Sequence, residues 1–351
     1  MQIKQLQNIL LAAVASGMIG CGGSETPAPQ TLEDEIRLAL DAAETNEDFT
    51  LVLEGNNGHR FIHSTGGSTE YTVYESASTS KWVSATVILD LVRRGVLSLD
   101  DHPQDYIDFW PESGDLSEIR LRHLLSFTSG LTNEPLCISA PFFDFSNCVE
   151  RIVELNPESP QPGTEFYYSS THLQVAGLMA MNAVDPSGGT TWSDIFTRFQ
   201  TESTLFPNSA YDLPSQNNPR LAGGMHWSAM EYSHFLQALY RQTILTPALI
   251  AAMSSDQIAN ATIVKSPAGE DRGLDWHYGY GNWIECDNLP FDCTESGKFS
   301  SPGAYGAYPF IDREHGYFGI VALQGKLGQA DGYRIFMEVK DLLEQWAAAN
   351  Q

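Results

Sequence analysis

Basic side chains are scarce in this sequence. Its 351 residues include 19 Lys and Arg against 44 Asp and Glu, which gives a formal net charge of −25. Nucleic acids and anionic membrane surfaces are bound through Lys and Arg, so neither is expected as a main partner. Hydrophobic residues still make up 42% of the chain, which is enough for a packed core and argues against wholesale disorder. The length allows about two domains or one large domain.

The sequence also lacks the short motifs that mark common cofactor and metal sites. It has no Gly-x-Gly-x-x-Gly and no phosphate-loop motif, which argues against a nucleotide cofactor. It has no His-Glu-x-x-His, and its cysteines lack the spacing of a zinc site, so no metal is expected. Gly-x-Ser-x-Gly, the key motif of α/β-hydrolases, is absent too. We therefore expect a protein that needs neither a metal nor an organic cofactor.

Long apolar runs are missing except for one near the N-terminus. Residues 9–19 form it, after the single charge of Lys4. The run is shorter than the about 20 residues that a membrane-spanning helix needs, and it is typical of a signal peptide.

The residues after this run resemble a bacterial lipoprotein signal. Met18-Ile19-Gly20-Cys21 has the small residue before a cysteine that the lipobox requires, with Met where Leu is usual. We expect residues 1–20 to be removed, Cys21 to be lipidated and residues 21–30 to form a flexible tether. The protein would then be exported to the periplasm or cell envelope, where only its lipid anchor touches a membrane. Gly22 favours the outer membrane, and a plainly secreted protein is the alternative.

Cysteines are few, and five occur in total. Without Cys21 they form two close pairs, Cys137 with Cys148 and Cys286 with Cys293. Four cysteines allow three pairings, and proximity in the sequence favours these two local disulfides in an oxidising compartment. Free buried thiols are the alternative.

Strand patterns lie near both ends of the chain, and helical patterns lie between them. We predict strands at 49–54, 60–64, 278–285, 308–312 and 317–323, and helices at 31–43, 79–94 and 333–348. Regular βαβ alternation is absent, which argues against a doubly wound parallel sheet. The predicted fold is α+β, with one antiparallel sheet built from both termini and flanked by helices. Residues 31–97 and 272–351 would form this sheet domain, and residues 98–271 an inserted, mostly helical domain.

One short motif at the start of the predicted helix carries nucleophile chemistry. Ser78-Thr79-Ser80-Lys81 places a serine and a lysine three residues apart, on one face of a helix. A serine hydroxyl is a poor nucleophile until a base takes its proton. A helix N-terminus and partial burial both lower a lysine pKa, so Lys81 is a candidate base. The alternative is a serine that caps a helix and a lysine in solvent.

Other segments follow in a fixed order and share a resemblance. They are Gly-Val-Leu-Ser-Leu-Asp-Asp at 95–101, Leu-Arg-His-Leu-Leu-Ser-Phe-Thr-Ser-Gly-Leu at 121–131, Pro-Gly-Thr-Glu-Phe-Tyr-Tyr-Ser-Ser at 162–170, Ala-Gly-Gly-Met at 222–225 and Tyr-Gly-Tyr-Gly at 278–281. Together with Ser78 and Lys81 they resemble the serine β-lactamase-related superfamily, over about residues 50–345. The branch in question holds class C β-lactamases, DD-peptidases and family VIII esterases.

The resemblance implies roles for individual residues. Ser78 would be the acylated nucleophile and Lys81 its partner base. Tyr168, placed by the preceding Pro-Gly-Thr, would match the tyrosine of the family's Tyr-x-Asn motif and move protons, while Tyr167 would be a packing residue. The N–H groups of Ser78 and Ala304 would form the oxyanion hole.

Two departures from the family pattern bear on substrate binding. Ser170 stands where the motif has Asn, and 301–303, Ser-Pro-Gly, stands where Lys-Thr-Gly or His-x-Gly is usual. Ser170, Ser301 and Gly303 remain the expected substrate-binding positions, but the motif's cation is missing. Lys298 and Arg272 are alternative cations, although both are expected at the surface.

Two hypotheses of function follow. The first is an exported serine hydrolase that acts through an acyl-enzyme on esters or amides, with a small-molecule or peptide substrate and a preference for neutral esters. The second is a lipoprotein that keeps the fold without catalysis and binds peptidoglycan or another ligand. His172 and His226 are further candidates for the cleft, whereas His123 is expected in the core.

Overall fold

The computed structural model describes residues 31–286, 290–292 and 297–351. The expected signal peptide, Cys21 and the tether lie outside the described residues, as does Cys293. Within the part of the chain that is described, no helix is both long and apolar enough to cross a membrane.

The described residues form twelve strands and ten α-helices. The strands are β1 Thr50–Gly55, β2 Arg60–Ser64, β3 Val73–Glu75, β4 Glu165–Tyr167, β5 Ala210–Tyr211, β6 Met225–Ser228, β7 Thr262–Lys265, β8 His277–Tyr278, β9 Trp283–Glu285, β10 Lys298–Ser300, β11 Gly306–Asp312 and β12 Tyr317–Gln324. The helices are α1 Leu32–Asp41, α2 Ser80–Arg93, α3 Leu121–Leu125, α4 Phe145–Leu155, α5 Thr171–Val184, α6 Trp192–Ser203, α7 Ala229–Tyr240, α8 Pro247–Met253, α9 Pro267–Arg272 and α10 Asp331–Ala349. Short 3-10 helices lie at Ala77–Thr79, Pro103–Asp105, Asp115–Glu118 and Leu136–Ser139.

The largest sheet of the described residues joins both ends of the chain. Its seven strands run in the order β2-β1-β12-β11-β10-β9-β8, and each is antiparallel to its neighbours. The two ends of the chain meet where β1 pairs with β12, with Val52 opposite Ile320. The predicted antiparallel sheet built from both termini is confirmed.

Helices cover both faces of this sheet. All six residues of β1 are buried, as are seven of the eight in β12, so neither strand has a solvent-facing side. α10 packs against β11 and β12, and α1 packs against α10. α7 packs against β1 and β12 and covers the other face.

The N-terminal helix begins where its capping pattern predicts. The Thr31 hydroxyl accepts a hydrogen bond from Asp34 N, and the Asp34 carboxylate accepts one from Thr31 N. This reciprocal cap satisfies two backbone donors at the helix start. Ile36 and Leu40 are buried on the face of α1 that turns towards the core.

The single strand predicted at 278–285 is wrong. The structure divides it into β8 and β9, a hairpin in which Gly279 N donates to Asn282 O at 2.9 Å. Gly281 has a φ of +77°, and a Cβ there would lie 2.7 Å from Lys81 O. Glycine therefore lets the turn approach α2, a tertiary requirement that strand alternation does not reveal.

Residues 98–271 hold α3 to α9 and four short strands. β4 and β7 pair in parallel, while β5 and β6 join β3 in a small antiparallel sheet. α7 departs from the predicted division of the chain, because it lies inside this range yet packs against the large sheet. Its buried side includes Tyr232, Phe235 and Leu236.

The structure contains the disulfide predicted between Cys137 and Cys148. It ties the 3-10 helix Leu136–Ser139 to α4. The pairing of Cys286 with Cys293 remains a prediction, because Cys293 lies outside the described residues.

Candidate active site

Ser78 lies on the single turn of 3-10 helix that precedes α2. Ala77, just before it, has a φ of +44°, a left-handed conformation that residues with a Cβ rarely adopt. The turn is held by its neighbours: Trp227 Nε1 donates to Thr79 Oγ1 at 2.8 Å, and the Tyr232 hydroxyl donates to Thr79 O at 2.9 Å. Core packing thus fixes the backbone from which the Ser78 hydroxyl projects.

Lys81 lies one helical turn after Ser78, with only 3% of its surface exposed. Its Nζ lies 2.8 Å from Ser78 Oγ and donates to the Ala222 carbonyl at 2.9 Å. Burial lowers the pKa of Lys81 well below its ordinary value, and the charge of Arg220 lowers it further. An uncharged amine has a lone pair that can take the Ser78 proton, which is what a general base needs.

Tyr168 completes this group. Lys81 Nζ lies 4.6 Å from the centre of its ring, and Trp283 stacks on the ring at 5.2 Å between centroids. Burial raises the pKa of Tyr168 to about 12, although the Ser78 hydroxyl and the charge of Arg220 oppose that rise. The phenol therefore carries its proton at neutral pH and can donate it.

The neighbouring Tyr167 contacts a different lysine. Lys265 Nζ lies 5.0 Å from the centre of the Tyr167 ring. The structure therefore brings Tyr168, and not Tyr167, beside Lys81, in agreement with the register set by Pro-Gly-Thr.

Residues 301–304 pass directly beside the nucleophile turn. Ser301 is buried, and its hydroxyl donates to Ser78 O at 3.1 Å. A Cβ on Gly303 would lie 2.8 Å from Ser76 O, so glycine is required for this approach. No acceptor for the Ala304 N–H is found among the described residues. Ser78 and Ala304 both line the same cleft.

Ser78, Tyr168 and Ala304 line a cleft of about 240 Å³. Its aromatic wall is formed by Trp276 and Trp283. The remaining lining residues are Pro267, Ala268, Asp271, Arg272, Pro302, Gly303, Gly328, Gln329 and Ala330. The cleft is thus mostly apolar, with one acidic and one basic side chain at α9.

Arg272 reaches this cleft, and Lys298 does not. Arg272 is half-buried at the end of α9, with its guanidinium carbon 5.8 Å from the centre of the Tyr333 ring. Lys298 lies opposite Asp312 in the sheet and lines a separate cavity with Glu285 and Lys340. Of the two alternative cations, Arg272 therefore lines the cleft, because α9 packs beside it.

Ser170 is buried, with 2% of its surface exposed, and it does not line the cleft described above. Its hydroxyl accepts hydrogen bonds from Arg220 Nε at 3.0 Å and from Arg220 Nη2 at 2.8 Å. Its backbone N–H donates to Glu134 Oε2 at 2.9 Å, and Glu134 Oε1 lies 3.3 Å from Arg220 Nη2. Arg220 already donates two hydrogen bonds to the Ser170 hydroxyl, so this arrangement does not favour direct substrate binding by Ser170.

Arg220 and Glu134 were not predicted from the sequence. They stand 86 residues apart, and no motif spacing links them to each other or to Ser170. The only signal was indirect: Ser170 is too short to do the work of the motif's Asn, which suggests that a second residue compensates.

Of the three candidate histidines, His172 and His123 are neutral in the folded protein. His172 is fully buried, with Nε2 2.8 Å from Tyr167 O and Nδ1 2.8 Å from Ser129 Oγ. Burial lowers the pKa of His172 to about 4, and that of His123 to about 4 as well. His172, a candidate for the cleft, does not line it. His226 is half-buried on β6 and pairs with Asp212 at 2.6 Å.

Other cavities and clusters do not contain these groups. A larger cavity of about 880 Å³ is lined by Phe109, Phe142 and Trp192 among others, but by none of Ser78, Lys81 and Tyr168. Asp312, His315 and Glu344 bring their ligand-type atoms within 4.8 Å of one another at the end of β11 that is far from residue 304. We place the candidate active site in the smaller cleft, because Ser78 and Tyr168 line it and Lys81 Nζ lies 2.8 Å from Ser78 Oγ.

Comparisons with known proteins match the chain to a family model, to curated relatives and to solved structures. A family model described as Beta-lactamase matches residues 48–343. The protein flp of Staphylococcus aureus strain N315 is 28% identical over 140 residues, which are 39% of this chain and 26% of flp. The chain thus matches about a quarter of the length of that curated relative.

Solved structures share the fold over most of the chain. A candidate beta-lactamase from Bacteroides dorei DSM 17855 superposes with a TM-score of 0.72 at 26% identity, covering 88% of this chain and 97% of the other. EstCE1, described as a hydrolase with promiscuous acyltransferase activity, superposes with a TM-score of 0.69 at 18% identity, covering 89% and 97%. The second likeness concerns the fold alone.

Proposed function

The chain belongs to the Beta-lactamase family, and on that premise we propose that it is an exported serine hydrolase that acts through an acyl-enzyme on esters or amides. One observation carries the proposal: Lys81 Nζ lies 2.8 Å from Ser78 Oγ in a buried setting that favours the uncharged amine. A serine that merely caps a helix has no need of a buried lysine beside it.

Acylation would begin with proton transfer from Ser78 Oγ to Lys81 Nζ. Oγ then forms a bond to the substrate carbonyl carbon, and the oxyanion is held by the N–H groups of Ser78 and Ala304. As the bond to the leaving oxygen or nitrogen breaks, Tyr168 gives that atom its proton and recovers one from protonated Lys81. The products are an ester on Ser78 and a free alcohol or amine, with both proton carriers restored.

Deacylation would reverse these roles with water as the nucleophile. Water loses a proton to the Lys81 and Tyr168 pair as its oxygen attacks the acyl carbon. The Ser78 oxygen leaves and takes that proton back. The acid is released, and the cycle needs no other group than those in the cleft.

The lining of the cleft bears on the substrate. Trp276 and Trp283 suit an apolar acyl or leaving group. Arg272 adds a positive charge from α9, where the third motif has lost its own. We propose that esters and amides with an apolar group are accepted, and that any anionic substrate depends on Arg272.

Export is the remaining part of the proposal. It rests on the signal-like residues 1–20, and the Cys137–Cys148 disulfide supports it, because such bonds persist mainly in oxidising compartments.

The proposal is tested by the hydrolysis of short p-nitrophenyl esters, with nitrocefin and D-Ala-D-Ala peptides in the same panel. Ser78→Ala is the matched control. We expect turnover of at least one ester or amide that Ser78→Ala lacks. Equal, background rates for both proteins on the whole panel would favour a non-catalytic binding protein instead.

A further inference from the structure

Three side chains from distant parts of the chain meet near Lys81. Glu134 follows α3, Ser170 is the N-cap of α5, and Arg220 precedes β6. Arg220 gives two hydrogen bonds to the Ser170 hydroxyl, and Glu134 accepts from Ser170 N and pairs with Arg220. The Ser170 hydroxyl makes no cap for its own helix, so its role lies in this cluster.

The cluster is linked to both proton carriers. Ser170 lies two residues after Tyr168, at the point where the backbone enters α5. The Arg220 carbonyl accepts from Gly223 N at 3.0 Å, and this turn presents the Ala222 carbonyl to Lys81 Nζ at 2.9 Å. An acceptor at this place takes one amine N–H and so leaves the lone pair free to face Ser78.

We propose that Arg220, paired with Glu134, is a positioning residue that replaces the missing motif asparagine: it holds Ser170 and the Ala222 turn, and its positive charge disfavours a second positive charge on Lys81. The inference rests on the proposed function, because it assigns a role in the same proton transfer.

The charges that act on Lys81 come from several elements. Arg220 and Lys265 lower the pKa of Lys81, while Glu134 raises it, after the larger effect of burial. Tyr168 lies against Lys81 as a neutral phenol. His172, whose pKa is lowered to about 4, is neutral as well, and Arg272 acts on Tyr168 rather than on Lys81.

Opposite substitutions in the ion pair should therefore have opposite effects. Arg220→Met leaves the Glu134 charge unopposed and favours protonated Lys81. The acid limb, which is the part of the pH–rate curve where the rate rises as Lys81 loses its proton, therefore moves to higher pH. Glu134→Gln leaves Arg220 unopposed, so the limb moves to lower pH. A role in packing alone would lower the rate without moving the limb in either direction.

The experiment follows the rate at which a fluorophosphonate labels Ser78 between pH 5 and 9. In this reaction the Oγ–P bond forms as fluoride leaves, and the Ser78 proton passes to Lys81. At a pH on the acid limb, we expect Arg220→Met to label about tenfold more slowly than the wild type and Glu134→Gln severalfold faster. Arg220→Lys, which keeps the charge but not the two-pronged contact, should restore the limb with a lower plateau.

Controls separate the possible failures. Arg198→Met removes an exposed arginine that pairs with Glu202 on α6, changes the net charge equally and should leave the profile unchanged. Limbs that coincide for Arg220→Met, Glu134→Gln and the wild type would overturn the inference while the proposed function stands. If Arg220→Met does not fold, the acid limb of Glu134→Gln is compared with that of the wild type. A shift to lower pH supports the inference, and coincident limbs overturn it. An unlabelled wild type would overturn the proposed function itself.

Discussion

The two sides of the cleft relate in different ways to the pattern that the sequence resemblance implies. On the helix side, Ser78, Lys81 and Tyr168 have the residue types expected from that resemblance and lie in contact. On the strand side, residues 301–304 connect β10 to β11 and run beside Ser78 without the side chains that the resemblance implies. The difference follows from the chemistry, because a proton carrier must be a particular side chain, whereas an oxyanion donor is a backbone N–H that any residue except proline supplies.

The strand side nevertheless depends on one side chain being absent. Gly303 is placed where a Cβ would meet Ser76 O, and Pro302, which lacks an N–H, stands clear of the donor at Ala304. Some positions of the site therefore need a particular functional group, whereas Gly303 needs the absence of a side chain so that the backbone can approach Ser76.

The largest effects are expected on the helix side. Lys81→Met and Tyr168→Phe should each lower kcat/KM for a p-nitrophenyl ester by about 10²- to 10⁴-fold, because each removes a proton carrier. Ser301→Ala, its counterpart on the strand side, should cost less than about tenfold, since it loses one neutral hydrogen bond. Tyr167→Phe is the matched control and should be nearly silent. A loss in Ser301→Ala as large as that in Lys81→Met would show that the strand side depends on its side chains as much as the helix side does.

The helix side should also be the acid-sensitive side. The pKa of folded His172 is lowered to about 4, below its ordinary 6.5, so the unfolded chain binds a proton that the folded chain lacks. The free energy of unfolding should therefore fall as the pH falls from about 6.5 to 4, by up to about 3 kcal/mol from this residue. His123 should add a similar contribution.

Urea unfolding of the wild type and His172→Gln at several pH values measures this dependence. The variant should be less stable at pH 7 and lose part of the slope below pH 6.5. His226→Gln, at a half-buried position, should keep the slope. An unchanged slope in His172→Gln would show that folding does not lower the pKa of His172.

A smaller effect is expected from filling the space at the strand. Gly303→Val should lower kcat about 10- to 100-fold and destabilise the fold by about 1–3 kcal/mol, because the new side chain displaces the connection between β10 and β11 from Ser76. Ala304→Ser keeps the N–H and should retain most activity. Activity measured beside thermal unfolding separates the two effects, and a fully active Gly303→Val would show that close approach is unnecessary.

The effect of Arg272 should be confined to anionic substrates. Arg272→Gln should lower kcat/KM for a carboxylate-bearing substrate by about ten- to a hundred-fold relative to a neutral ester, the equivalent of one charge-assisted hydrogen bond. Ser301→Lys should change the same ratio in the opposite direction, and Arg198→Gln on α6 should leave it unchanged. Equal losses on both substrates would assign Arg272 to the structure of α9 instead.

The sheet and the proximity of Ser78 to Lys81 could be predicted because local patterns in the sequence indicate both. Apolar runs mark β1 and β12, and Ser78 and Lys81 are spaced by one helical turn. The position of Tyr168 beside Lys81 was expected only from the resemblance to a family. The hairpin at Gly279–Asn282 was missed because glycine is needed at position 281 to avoid a clash with Lys81 O. That requirement comes from a contact between distant segments.

The supporting charges were missed for the same reason. Arg220, Glu134 and Ser170 come together only in the folded chain, and the place of Arg272 depends on how α9 meets the cleft. Residues whose role lies in a long-range contact leave no periodic or spaced signature in the sequence.

The central claim, that Ser78 is an activated nucleophile, is tested most directly by peptide mapping after treatment with a fluorophosphonate. We expect a single adduct, on the peptide that contains Ser78. It should form quickly in the wild type and much more slowly in Lys81→Met. Failure to form any adduct, or an adduct on a different serine, would contradict it.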